Sequence, residues 1–182
     1  MQSTEGKRFI IEENAGFTPT IGRLLSMMEY TRLTTLEAVN GLTIKELDYR
    51  IDGKGNSIGC LLYHMACVEE VYQIITFEER DPTEEELLTL EVGLSLGGNA
   101  HQKIYGRGIE FYKERLNLVR ERTLEGFKIK EDSWLDEVSP FGPNHSANNY
   151  FRWFHVFEDE LNHRGQIRLI RKHMERKEEG SL

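Results

Sequence analysis

Four polar residues recur at helical spacing in an aromatic stretch near the end of the chain: His155, Asp159, His163 and Gln166. Asp159 and His163 are four positions apart, which on a helix puts both side chains on one face, one turn from each other. A carboxylate and an imidazole so placed can chelate one divalent ion. His155 falls one turn earlier and Gln166 one turn later. Tyr150, Phe151, Trp153, Phe154 and Phe157 crowd the start of the same segment, and a polar group buried in such company costs free energy unless it is paired or metal-bound. A second segment offers a partner. His64 sits inside a wide apolar arc, flanked by Cys60 and Cys67. Metal sites in helix bundles draw ligands from facing helices. His64, Asp159 and His163 would form a set of two imidazoles and one carboxylate, suited to Zn, Ni, Fe or Mn and leaving room for water or substrate.

Plainer readings stand beside this one. An inward histidine can be a hydrogen-bonded core residue, and an Asp–His pair at this spacing can be a surface salt link. Cys60, His64 and Cys67 read as a zinc face is the weaker idea, because all three lie on one segment and buried cysteine is ordinary core filler. His101, His145 and His173 fall in loop-like or terminal contexts and are expected to be solvated. Glu84, Glu85 and Glu86 suit a helix N-terminus favoured by the helix dipole, and Trp134 and Trp153 suit a core. The chain has no glycine-rich phosphate loop, no serine elbow and no Cys-x-x-Cys.

The elements that must carry these residues follow from periodicity and stop signals. A first helix begins at Thr18 and Pro19, runs through Ile21, Leu24, Leu25, Met28, Leu36 and Val39, and stops at Asn40-Gly41. A short turn at Leu42–Leu47 has Thr43 and Glu46 as a capping box, with Leu42 and Leu47 as a hydrophobic staple. After a loop at residues 52–56, a second helix runs from about Ser57 to about Phe77. Its broad apolar arc implies packing against more than one neighbour. Residues 78–106 read as irregular, apart from a short helix opened by a second capping box at Thr83 and Glu86 and ending by Leu90. The five glycines from Gly93 to Gly108 predict an ordered excursion. A third helix covers about Ile109 to Gly126, and a fourth about Ala147 to Glu175. Strand-like patterning is confined to Arg8–Ile11 and the neighbourhood of Trp134. The expected fold is all-α, an antiparallel four-helix bundle with one long irregular connection between the second and third long helices. It spans residues 1–176 as a single domain, with 177–182 a frayed tail.

Composition narrows the function. The chain has 182 residues, 23 Lys and Arg against 31 Asp and Glu, and a net charge of −8. An acidic chain with no basic run is poorly suited to nucleic acid. No apolar stretch reaches the length a membrane helix needs, and the first residues lack the features of a secretory signal. Cys60 and Cys67, seven residues apart on a helix, are about 10 Å apart, too far for a disulfide. A reduced, cytoplasmic protein is expected.

Two motifs resemble the DinB/YfiT-like superfamily of metal-binding four-helix-bundle proteins. The run Asn56 to His64 is similar to the family's start of the second helix, which ends in its first metal ligand. His163-Arg164-Gly165-Gln166 is similar to a segment whose histidine is another ligand. The turn from Leu42 to Leu47, with Asp48 and Arg50, resembles the one that precedes the second helix, and the likeness spans about Thr18 to His173. One departure stands out. The family has His-x3-His before Arg-Gly-Gln, and here Asp159 takes the earlier position, which would harden the site or signal its loss. His155 matches a histidine that is not the family's usual ligand, so the resemblance implies a supporting role, as proton shuttle or substitute ligand, and Gln166 one of orienting the site.

What the resemblance implies is a divalent-metal-dependent S-transferase using a low-molecular-weight thiol such as bacillithiol or mycothiol on a small-molecule substrate. Alternatives are a hydrolase activating water on the same metal, and a non-catalytic, stress-associated binding bundle with a degraded site. A homodimer is implied by the same likeness.

Overall fold

The computed structural model describes residues 9–179 and is mostly helical. In chain order the elements are α1 (Pro19–Ala38), α2 (Ile44–Leu47), α3 (Ile58–Phe77), α4 (Glu84–Leu94), α5 (Gly98–Ile104), α6 (Ile109–Lys128), β1 (Val138–Phe141), β2 (His145–Asn148) and α7 (Asn149–Glu179). The four long helices pack side by side. α3 lies against both α6 and α7, and α1 lies against α7. No helix among the described residues is long and apolar enough to cross a membrane.

The local signals act as their chemistry requires. Ser57 caps α3 by accepting the Cys60 N–H at 3.3 Å. Both capping boxes form, Thr43 with Glu46 and Thr83 with Glu86. The start of α1 differs from the simple cap expected of Thr18, whose side chain makes no cap bond. Asp132 does the work from more than a hundred residues away. Its carboxylate accepts the Thr20 and Ile21 N–H groups at 3.0 and 3.1 Å and the hydroxyls of Thr18 and Thr20, so a side chain outside the helix satisfies the first turn.

The stretch between α3 and α6 is more regular than its glycines suggest. α4 continues past Leu90 to Leu94, and α5 follows it. Near Trp134 the chain forms a 3-10 turn at Asp132–Asp136, and the strands come just after it as an antiparallel hairpin pairing Val138 with Asn148 and Phe141 with His145. Ala147 therefore belongs to β2, and α7 begins at Asn149. Phe9–Ile11 form no strand, and Arg8 lies outside the described residues. At the other end α7 remains helical to Glu179, past the expected start of the tail, and residues 180–182 are outside the description.

The core has two large apolar clusters with a polar layer between them, and a small third one of Cys67, Ile74 and Leu90. One gathers Leu47, Ile58, Leu61, Leu62, Leu116 and Ile167. The other gathers Leu24, Met28, Phe127, Trp134 and Trp153, with Phe77 stacked between the two tryptophans at 5.5 and 5.0 Å. Each long helix gives one charged residue to the boundary: Arg32, Glu69, Arg120 and Glu160 are all buried. Arg32 Nε and Nη2 donate to the two Glu160 oxygens at 3.0 and 3.1 Å, and Nη2 also reaches Glu69 at 2.9 Å. Arg120 donates to both Glu69 oxygens at 2.7 and 3.1 Å, and the Thr123 hydroxyl adds a third bond at 2.7 Å. Two cations and two anions cancel.

Burial alone would push the Glu69 carboxyl up, but the charges of Arg120 and Arg32 and the bonds from Arg120 and Thr123 outweigh it and hold the group at about 2 against an ordinary 4.5. A carboxylate so depressed stabilises the fold above about pH 4.5, and that stability is lost as pH falls towards about 2. Glu69→Gln is expected to cost about 3–5 kcal/mol at neutral pH, because it leaves two buried guanidinium groups short of a partner. In urea unfolding at a series of pH values the gap between variant and parent should narrow below about pH 4.5. A gap independent of pH would show that the charge of Glu69 is not what stabilises the layer.

Candidate metal centre

His64 is set by its own helix and by a glycine on another. Capped at Ser57 and packed on two neighbours, α3 turns the imidazole inward, leaving it 8% exposed. Its Nδ1 lies 2.9 Å from the Gly93 carbonyl oxygen in α4. A carbonyl only accepts, so Nδ1 carries the proton and Nε2 is left with its lone pair. Gly93 is needed for that approach, since a Cβ there would run into Cys67 Sγ and meet Tyr63 Cδ1 at 3.0 Å.

Asp159 and His163 come from α7, whose rotation is fixed by what lies beside them. Glu160 is gripped by Arg32 of α1, the Arg164 guanidinium donates to the Thr34 hydroxyl, and Arg171 donates to the Ala38 carbonyl at 2.7 Å. Asp159 then lies between the two imidazoles. Its Oδ2 is 3.4 Å from His64 Nε2 and its Oδ1 is 3.3 Å from His163 Nε2. The rings meet edge to face with centroids 4.7 Å apart. One ligand atom from each of the three residues lies within 4.8 Å of the others, and among the described residues this is the His, Cys, Asp and Glu group that could hold a metal ion.

The electrostatics suit a cation. His64 Nε2, an acceptor in the neutral ring, faces a carboxylate oxygen that is also an acceptor. Asp159 Oδ2 and His163 Nδ1 are buried without a hydrogen-bond partner in the protein. Two acceptors turned towards each other are reconciled by a positive charge between them, whether proton or metal. Burial alone would pull the His64 imidazolium down, but Asp159 and the Gly93 carbonyl outweigh it and raise the group above its ordinary 6.5. Burial alone would push the Asp159 carboxyl up, but the two imidazoles hold it far below the usual carboxylate range. Neutral nitrogen donors beside an ionised carboxylate are the form in which these residues bind divalent ions.

The other candidates lie apart from this cluster. His155 is half-exposed, its Nδ1 pairs with the Glu158 carboxylate at 2.9 Å and its ring stacks on Phe151. Gln166, expected to orient the site, is exposed, and among the described residues no hydrogen bond joins it to the cluster. It is Ile167, a full turn past His163, that faces inward. Cys60 and Cys67 are free and buried. Burial pushes the Cys67 thiol up to about 11 and raises Cys60 as well, and among the described residues neither joins His64 in the group that could hold a metal ion. His145 is exposed as expected, whereas His101 and His173 are partly buried, each with one ring nitrogen shielded and unpartnered. The residues the sequence reading missed are Gly93 and the four charges of the core layer. Their signal was a charged residue at an apolar-face position in each long helix, as with Arg32 between Met28 and Leu36.

A family model described as Mycothiol-S-transferase matches residues 23–176. The chain belongs to this mycothiol-S-transferase family, one of the DinB/YfiT-like families. Among solved structures, a structural-genomics crystal structure of a protein from Streptococcus pneumoniae is similar, with a TM-score of 0.62, 15% identity, and coverage of 82% of this chain and 89% of that one. At that identity the likeness speaks for the fold alone. None of the curated proteins matches.

With His64 as a ligand, a proton and a metal would compete for it, and titrations with Zn or Ni should weaken by about tenfold per pH unit for each proton displaced as pH falls below the raised His64 value. A flat profile would place the ion elsewhere. Gly93→Ala should lower metal affinity about 10- to 100-fold by removing the support of His64 Nδ1, and unchanged affinity would show that the Gly93 carbonyl does not matter to the site.

Proposed function

We propose that the chain is a divalent-metal-dependent S-transferase that joins a low-molecular-weight thiol to an electrophilic small molecule. On this reading the fold is an antiparallel four-helix bundle of the DinB/YfiT type, residues 1–176 form one domain, and the metal ligands are His64, Asp159 and His163. The observation that carries it is the convergence of those three donors, from α3 and α7, in a buried polar layer of a mycothiol-S-transferase family member.

Each residue has a task in this reading. His64, fixed in one tautomer by Gly93, offers Nε2. Asp159 offers a carboxylate that stays ionised. His163 offers Nε2 from one turn further along α7. These three residues would hold a divalent ion, whose positive charge would lower the pKa of a thiol bound beside it. The protein's own cysteines do not compete as nucleophiles, being buried and held as thiols. Asp159 in place of the family's usual histidine makes the donor set harder, favouring metals that tolerate oxygen ligands.

Elemental analysis of untagged protein purified without chelator should find about one divalent ion per chain. Asp159→Ala and His163→Ala should each lose it, while Asp159→His should keep it with a preference shifted towards Zn over Mn. Conjugation of mycothiol or bacillithiol to 1-chloro-2,4-dinitrobenzene should exceed the background rate only in metal-loaded protein. Equal metal in parent and alanine variants would remove these residues from the site, and a rate indifferent to the metal would remove the transferase reading.

A further inference from the structure

A pocket of about 410 Å³ opens beside the candidate metal centre, between α3, the end of α4, the β1–β2 hairpin and the start of α7. Val68, on its wall, is one turn past His64. His155 is one turn before Asp159. Leu94 follows Gly93. The Tyr72 phenol, also on the wall, lies within electrostatic reach of both Asp159 and Arg152.

The wall is mostly apolar, its polar side chains being Tyr72, Asp81, Arg152 and His155, and of these Arg152 stands out. Arg152 lines the pocket and is 1% exposed. Its Nη1 donates to Ser139 Oγ at 2.7 Å and towards Asn149 Oδ1 at 3.4 Å, and its Nη2 donates to the Ser139 and Pro140 carbonyls at 3.1 and 2.8 Å. Every acceptor is neutral. Nε makes no hydrogen bond among the described residues, and no carboxylate pairs with the guanidinium. Asp81 lines the same pocket without forming an ion pair with it. The contrast is with Arg32 and Arg120, equally buried and each held by glutamates. A buried cation with only dipoles around it is short of an anion.

We propose that this pocket binds the electrophilic co-substrate, and that Arg152 makes it selective for an apolar molecule carrying one carboxylate. The role as co-substrate pocket rests on the transferase reading above; the selectivity does not. One free N–H and one uncompensated charge match a single monoanionic group, and Asp81 on the wall opposes a dianion such as a phosphate monoester. Val68, Val71, Ile75 and Phe141 receive the apolar remainder.

The test compares 4-phenylbutanoate with its neutral isostere, 4-phenylbutanamide, by calorimetric titration of metal-free and zinc-loaded protein. The carboxylate should bind about tenfold more tightly than the amide in both forms. Arg152→Gln should abolish the difference. Because that change also loosens the hairpin, Asp81→Asn, which leaves the hairpin bonds intact, is the second variant and should strengthen carboxylate binding severalfold. Equal affinities in the parent protein, or no saturable binding of either compound, overturn the proposal. So does a preference that needs zinc and survives Arg152→Gln, since the carboxylate would then be ligating the metal. Metal content measured on the same samples reports separately on the transferase reading.

Discussion

The buried ion pair between Arg32 and Glu160 is the constraint from which the rest follows. Glu160 stands between Asp159 and His163 in sequence, and Arg32 grips both of its oxygens from α1. A rotation of α7 that turned Asp159 away from His64 would also break this pair, taking Glu160 from its buried partner and leaving Arg32 with Glu69 alone. Glu69, five residues past His64 on α3, is tied to the same guanidinium. The polar layer thus fixes the facing of α3 and α7 together, and the candidate ligands inherit that facing.

A polar layer across an apolar core is an expensive way to hold helices together, and hydrophobic side chains of similar volume often do it better. Its charge balance suggests why it is present. The four charges of Arg32, Glu69, Arg120 and Glu160 sum to zero, so the layer is internally compensated. Asp159 and the two imidazoles beside it, neutral as ligands, sum to one negative charge. Beyond them, Arg152 carries one positive charge without an ion-pair partner. The molecule compensates the charges of its structural layer internally, while the His64, Asp159 and His163 cluster keeps a net negative charge and Arg152 in the neighbouring pocket a positive one.

Much of this was legible in the sequence. The i, i+4 spacing of Asp159 and His163 and the inward position of His64 pointed to one cluster, and the resemblance to DinB-like proteins matched the same positions. Helix starts at Ser57, Thr43 and Thr83 were readable because capping is local chemistry. What escaped depended on distant partners. Asp132 caps α1 from the far side of the sequence. α5 was hidden by glycines that serve as its boundaries, with Gly97 and Gly106 at positive φ. The hairpin was obscured by Pro140 and by largely exposed strands, which lack an apolar alternation. Gln166 looked like part of the site because it shares the helical spacing of the motif, yet its side chain is exposed, while Ile167 beside it is buried. The core charges stand at apolar-face positions of their helices, but which of them pair is set by residues on other helices and is not written in any one segment.

X-ray absorption at the metal edge of the zinc-loaded protein tests the central claim most directly. The account predicts two imidazole nitrogens and light oxygen donors at about 2.0–2.1 Å, with no sulfur in the coordination shell of the protein alone. Sulfur scattering at about 2.3 Å, or a single imidazole, would contradict it, because the ion would then be held by Cys60 or Cys67, or by a site that does not join α3 to α7.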